Sequence, residues 1–201
     1  MNPQRISRLI TDAVVRQPWL WGVLRGRLRT VFDTIAPTWE TRIGPHHVAA
    51  LELALAELAA PQHALDLGTG TGVAAKTVAR RFPEAEVTGL DLSARMIAEA
   101  ESHLPAELAG RVRYQVGDAS SLPFSAGAFG LVTLANMIPF FGELARVVAP
   151  GGAVVVSFSR GADTPIYVPF ERLHRELSRR GFAEFAEFSA GPATALRATR
   201  T

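Results

Sequence analysis

The spacing of apolar residues changes near residue 63, and that change divides the chain. Before it, the period is helical. Ile6, Leu9, Ile10, Ala13 and Val14 fall on one stripe, so residues 3–16 read as an amphipathic helix. Pro18 interrupts it, and a second helical piece runs from Trp19 to about Phe32. Thr38 to Gly44 reads as a loop. Val48, Leu51, Leu55 and Leu58 form a further helical stripe that Pro61 stops.

After residue 63, short apolar runs alternate with helical stripes. Strands are expected at His63–Leu67, Glu86–Asp91, Arg111–Gly117, Leu131–Asn136 and Ala153–Ser159. Helices are expected at Thr71–Phe82, at Ser93–His103 with Ser93 as N-cap, at Phe140–Val148 and at Pro165–Arg180. Val154, Val155 and Val156 are consecutive, as in a strand buried on both faces of a parallel sheet. Phe182–Ser189 and Thr194–Thr199, joined through Gly191-Pro192, read as a closing antiparallel hairpin. Repeated β-α units ending in a hairpin predict an α/β, Rossmann-like, doubly wound sheet. The expected division is a helical extension or lid over residues 1–45 and a ligand-binding core over residues 46–201.

Composition narrows the picture. With 201 residues and 48% apolar content, a substantial core is available and disorder is not expected. The absence of cysteine excludes disulfides and thiolate metal sites, no metal-ligand set is evident, and a reducing cytoplasm is the simplest location. No apolar run reaches the ~18 residues that span a bilayer. Arginines interrupt every apolar stretch near the start, which does not read as a signal peptide. A net charge of +2 gives no reason to expect a nucleic-acid partner. The charge is uneven, however. Residues 1–31 carry Arg5, Arg8, Arg16, Arg25, Arg27 and Arg29 against Asp12 alone, together with Trp19 and Trp21. Two roles suit that segment: a helix lying on anionic lipid, or a lid packed on the core. The lid is favoured because two short helices bury little area.

The candidate chemistry begins at Asp66-Leu67-Gly68-Thr69-Gly70-Thr71-Gly72. A glycine-rich turn between a first strand and a helix lets backbone approach a ligand closely. Dinucleotide sites need glycine or alanine at position 73, but that residue is Val73, and the third glycine arrives one place early at Gly72. Asp66 would repel a pyrophosphate. It would favour a cationic ligand carrying an ammonium and a sulfonium, by roughly 4 kcal/mol at ~4 Å and an effective dielectric of ~20, before desolvation. Asp91 ends the second strand, where a carboxylate can accept both hydroxyls of a ribose. Asp118, after the third strand, can accept from an adenine amino group. One aspartate alone has even odds of being a turn or cap residue. Three at successive strand ends, beside the loop, point to a ligand.

Taken in order, these motifs resemble those of the class I S-adenosylmethionine-dependent methyltransferases, especially the small-molecule group related to quinone-biosynthesis C-methyltransferases. The matching segments are Ala64–Gly72; Gly89–Ser93 with Met96; Gly117-Asp118-Ala119 with Leu122-Pro123-Phe124; Leu144–Gly152; and Phe32–Ala36. The resemblance implies seven strands in the order 3-2-1-4-5-7-6, the last antiparallel. It also implies a cofactor-binding set of Asp66, Gly68, Thr69, Gly70, Gly72, Asp91, Leu92, Met96, Asp118, Ala119 and Asn136. Asp66, Gly68 and Gly70 would hold the methionine part, Asp91 the ribose, Leu92 an adenine face, and Asp118 with Ala119 the adenine edge. The chain departs from the family in a short segment between the fourth strand and Pro150, and in Gly130, where an aspartate often stands.

Methyl transfer from a sulfonium is an in-line displacement in which the protein mainly aligns and dries the reactants. No base is evident from the residues. Asn136, His46 and His47 are the weak catalytic candidates, with Asn136 the best placed to meet an acceptor. For His46 and His47, a surface or capping role is weighted above a cavity role, and His174 is expected to pack. Leu134-Ala135-Asn136-Met137-Ile138-Pro139 lacks the Asn-Pro-Pro-Tyr signature of amino-group methylation on DNA bases or protein glutamine. The expected partner is a small, apolar or aromatic acceptor. The competing readings are an NAD-type oxidoreductase and a nucleotide-binding protein without turnover.

Overall fold

The computed structural model describes residues 3–44 and 46–201. Residues 1, 2 and 45 and the side chains of residues 3–6, including the stripe position Ile6 and the charge at Arg5, lie outside that description.

The chain opens with helices α1 (Pro3–Arg16) and α2 (Trp21–Ile35), separated by a single 3-10 turn at Pro18–Leu20. A loop was expected over Thr38–Gly44, but it contains a one-turn helix, α3 (Trp39–Arg42). Helix α4 (Ala49–Ala56) leads into the alternating region. There follow β1 (His63–Leu67), α5 (Val73–Arg81), β2 (Glu86–Asp91), α6 (Ala94–Ser102), β3 (Val112–Val116) and β4 (Phe129–Ala135). The chain ends with α7 (Phe141–Val147), β5 (Val148–Phe158), α8 (Phe170–Ser178), β6 (Phe182–Ala190) and β7 (Ala193–Arg200).

The seven strands form one sheet in the order β3-β2-β1-β4-β5-β7-β6. Strands β1 to β5 pair in parallel, and β7 runs antiparallel to both β5 and β6. Fold class, strand order and closing hairpin therefore match the expectation. The consecutive valines of β5 divide as the pleat requires. Val154 and Val156 pack on one face with Trp21, Leu28, Leu144, Leu173 and Leu177. Val155 packs on the other with Leu51, Leu55, Ala75 and Val78.

One helix is shorter than its pattern suggested. Pro165–Arg180 was expected to be helical throughout, but α8 starts only at Phe170. Pro169 sits before it with an extended backbone, φ −56° and ψ 142°, and disfavours helical geometry at the residue it follows. The freed stretch from Pro165 lines the cavity described below. Gly130 also has a local reason. A Cβ there would lie 3.2 Å from Pro61 Cβ, so a side chain as large as aspartate has little room.

Candidate cofactor and active site

Register places the carboxyl ends of four strands along one edge. Leu67 pairs with Leu90 on one side and Leu134 on the other, and Asp91 pairs with Val116. The loop after β1, the end of β2, the turn after β3 and the end of β4 therefore meet. Over this edge lie α2 and α3. Between edge and helices is a cavity of about 980 Å³, at the upper end of the size range of small-molecule sites.

Of the expected site residues, Gly68, Gly70, Asp91, Leu92, Met96, Ala119, Asn136, His46 and His47 line this cavity. Asp66, Thr69, Gly72 and Asp118 are not among its lining residues. His46 is exposed, as expected, and reaches the cavity at its rim; His47 is half-buried and lines the cavity, and neither caps α4, which Val48 precedes. His174 packs as expected, stacked on Phe185 with ring centroids 3.9 Å apart. Sequence reasoning missed the far wall, where Leu28, Phe32, Trp39 and Ile43 face inward with Ile166. The inward spacing of Leu28, Phe32 and Ile35 was the available signal for α2.

The four residues outside the lining support the site from beneath and beside it. Asp66 is buried, with its oxygens taking hydrogen bonds from the hydroxyls of Thr69 (2.6 Å) and Thr133 (2.8 Å). Burial pushes its carboxyl up to about 6 against those donors. Instead of facing a ligand directly, Asp66 ties the glycine loop to β4. Gly72 has φ +80°, and a Cβ on it would lie 2.2 Å from the Tyr114 hydroxyl, so this glycine is required by packing. Gly68 has φ +67° with Met137 close against it. Asp118 is turned toward the helices. Its Oδ1 accepts from Trp21 Nε1 (2.8 Å) and the Ser120 amide (2.9 Å), and its Oδ2 from Arg25 Nη1 (2.7 Å).

The loop's hydrogen bonds decide what it can bind. Gly68 and Thr69 donate their amide hydrogens to the Leu90 carbonyl (2.8 and 3.1 Å), Gly70 donates to Asp91 Oδ2 (2.9 Å), and Gly72 donates to the Thr69 carbonyl (2.9 Å). A pyrophosphate needs such N–H groups free. With those four used internally, the stretch from Gly68 to Gly70 offers a ligand close approach without free amide donors, which suits an ammonium or sulfonium. Asp91 accepts one backbone N–H on each oxygen, from Gly70 and from Ser93 (2.8 Å), so each keeps lone-pair capacity for a hydroxyl. Burial raises its carboxyl above the ordinary value, against those two donors. Leu90, Leu92, Met96 and Ala119 provide an apolar slot beside it. The close-approach glycines, the Asp91 carboxylate and the apolar slot beside it fit the amino-acid end, ribose and adenine of S-adenosylmethionine.

Similarity to known proteins agrees with this geometry. The family described as Methyltransferase domain matches residues 64–152. The ubiquinone/menaquinone biosynthesis C-methyltransferase UbiE of Geotalea daltonii is 30% identical over 164 residues, covering 74% of this chain and 68% of that protein. The chain belongs to the class I S-adenosylmethionine-dependent methyltransferases. Its cofactor is S-adenosylmethionine. The demethylmenaquinone methyltransferase of Thermus thermophilus is 45% identical over 115 residues, covering 53% of this chain and 50% of that protein. The chain thus spans about half to two thirds of the length of the curated relatives it matches. Among solved structures, phosphoethanolamine N-methyltransferase 2 of Haemonchus contortus with S-adenosylmethionine superposes with a TM-score of 0.67. It is 18% identical and covers 84% of this chain and 57% of that one, a likeness of fold.

Among the described residues, no helix is long and apolar enough to cross a membrane.

Proposed function

We propose that this protein transfers a methyl group from S-adenosylmethionine to a small, apolar or aromatic acceptor, with residues 1–45 serving as a lid over residues 46–201. The observation that carries the reading is the composition of the cavity. One wall is the glycine loop with Asp91; the other is mainly apolar, from Leu28, Val31, Phe32 and Ile35 of α2 and Trp39 of α3, with Arg42 as its one charged residue. An adenosyl group fits the first wall and a flat apolar molecule the second, with Asn136 and Met137 between them.

When bound, the cofactor would supply an activated methyl group, transferred to the acceptor's electron pair with the S–C pair left on sulfur. The protein's own residues hold and align. Gly68 and Gly70 would let the cofactor's methionine end approach the backbone, Asp91 would accept from ribose hydroxyls, and Leu92, Met96 and Ala119 would hold adenine. Leu28, Phe32, Trp39 and Ile43 exclude water and orient the acceptor, which is the main protein contribution to an in-line displacement. Quinone-type substrates named for the relatives fit the apolar wall, and a reduced quinone ring is the first acceptor to test.

The test is an assay with methyl-labelled S-adenosylmethionine and a panel of hydroquinones, naphthols and acyclic carboxylic acids. Label is expected in an aromatic product. Transfer to acyclic acids alone overturns the acceptor class, and no transfer to any acceptor, with cofactor bound, favours a binding protein without turnover.

A further inference from the structure

Asn136 directly follows β4, with φ +54°, in the left-handed region that asparagine tolerates better than most side chains. Its amide bridges Ser159, just after β5, and His47, just before α4, at the cavity wall. Its Oδ1 accepts the backbone N–H of Ser159 at 2.8 Å. That bond fixes which end of the amide is oxygen. The other end, Nδ2, can only donate, and it lies 3.5 Å from His47 Nδ1. For this contact to be a hydrogen bond, Nδ1 must offer a lone pair. The imidazole proton is then on Nε2, the nitrogen with no protein partner among the described residues. Trp39 meets the His47 ring edge-on, with centroids 6.4 Å apart and planes at 84°, and limits its rotation. Both His47 and Asn136 line the cavity, and β4 is the strand next to the glycine loop.

We infer that His47 is held as the Nε2–H tautomer and donates a hydrogen bond to an oxygen atom of the methyl acceptor. The inference rests on the methyl-transfer reading above and sharpens it. The acceptor class becomes aromatic or enolic molecules carrying a hydroxyl or oxyanion beside the methylated position. Hydrocarbons and amines offer no such oxygen. The tautomer also removes His47 as a base toward the acceptor, because Nε2, the nitrogen left for the acceptor, carries the proton. Burial lowers the His47 pKa, which keeps the ring neutral at neutral pH. His47 is thus a specificity residue, and Asn136 positions it.

Two measurements on the full chain test this. The first is the nitrogen chemical-shift pattern of His47 in the 15N-labelled protein without ligand, assigned with His47→Gln. A protonated Nε2 and bare Nδ1 are expected, with a shift toward mixed tautomers in Asn136→Leu. A protonated Nδ1 in the wild type overturns the inference. The second is binding of 1-naphthol and of naphthalene to protein saturated with S-adenosylhomocysteine. Naphthol is expected to bind about tenfold more tightly, as for one satisfied buried donor. His47→Phe should abolish the preference and His47→Gln, which retains an N–H donor, should restore part of it. An equal preference in wild type and His47→Phe, or binding of neither probe, overturns it. Failure of S-adenosylhomocysteine itself to bind sinks the transferase reading instead, while the tautomer is still read from the ligand-free sample.

Discussion

Trp21 and Asp118 lie 97 positions apart in the chain, and the indole Nε1–H donates to the carboxylate Oδ1 at 2.8 Å. Arg25, one helical turn along α2, pairs with the other oxygen. Ser93, the N-cap of α6, donates in turn to Asp33 of α2 at 2.5 Å. The N-terminal helices are therefore fastened to the cofactor edge by polar contacts, over a cavity they also line with apolar side chains.

That fastening predicts unequal effects. Asp118→Ala removes the acceptor for the buried indole, the Ser120 amide and Arg25 together. It should lower stability by about 2 kcal/mol and speed hydrogen exchange in α2. Arg25 is about half exposed, with 52% of its side-chain surface accessible, so Arg25→Ala should cost less than about 1 kcal/mol. Denaturant titration with hydrogen exchange checks both, and equal losses would contradict the arrangement. Burial alone would raise the Asp118 carboxyl, but Ser120, Arg25 and Trp21 outweigh it and hold it below the ordinary value. A lowered carboxyl stabilises above its unfolded pKa and loses that contribution as pH falls through the folded one. The lid should loosen in acid.

Asp66 has the opposite sign. Its folded pKa, about 6, lies above the ordinary 3.8. Its contribution is fully present below the unfolded value and is lost as pH rises through about 6. Asp66→Asn keeps an acceptor for one threonine, and the other hydroxyl can rotate to accept from the amide. The variant should fold, and it should flatten the change in melting temperature between about pH 4 and pH 6. A wild-type slope retained in the variant would show that another group is responsible.

Tyr114 carries a buried hydroxyl without a hydrogen-bond partner among the described residues, pressed beneath Gly72. Tyr114→Phe should be neutral or stabilising by up to about 1 kcal/mol, since an unsatisfied group is removed. Gly72→Ala should be strongly destabilising, because strain at φ +80° adds to the collision with Tyr114. Pairing it with Tyr114→Phe should recover only part of the loss. Thermal melts of the two single variants and the double variant decide the point, and full recovery would mean that backbone strain contributes little.

The sheet and its ligand edge were legible in the sequence because each rests on local signals. Strand runs, Ser93 as a cap and the aspartates at strand ends all act within a few residues of where they are read. Contacts across the chain were not legible. Nothing near Asp118 announces that Trp21 and Arg25 will take its oxygens, so a role at the adenine edge could be assigned to it on motif alone. Asp66 looked like a ligand group because its charge was visible and the threonine hydroxyls at 69 and 133 that absorb it were not yet in contact. His47 and Asn136 are 89 positions apart, and their pairing depends on the left-handed turn at Asn136, which has no sequence signal beyond the asparagine itself.

The central claim is that the Gly68–Gly70 stretch, its amide hydrogens used internally and Asp91 beside it, takes an adenosyl amino-acid ligand over a pyrophosphate. Thermal unfolding of the full chain with S-adenosylhomocysteine and, separately, with NAD measures this directly. At ~100 times its dissociation constant, S-adenosylhomocysteine should add roughly 2.7 kcal/mol to stability, and Asp91→Ala should remove most of that gain while NAD leaves the wild type unchanged. Stabilisation by NAD without stabilisation by S-adenosylhomocysteine would contradict the account.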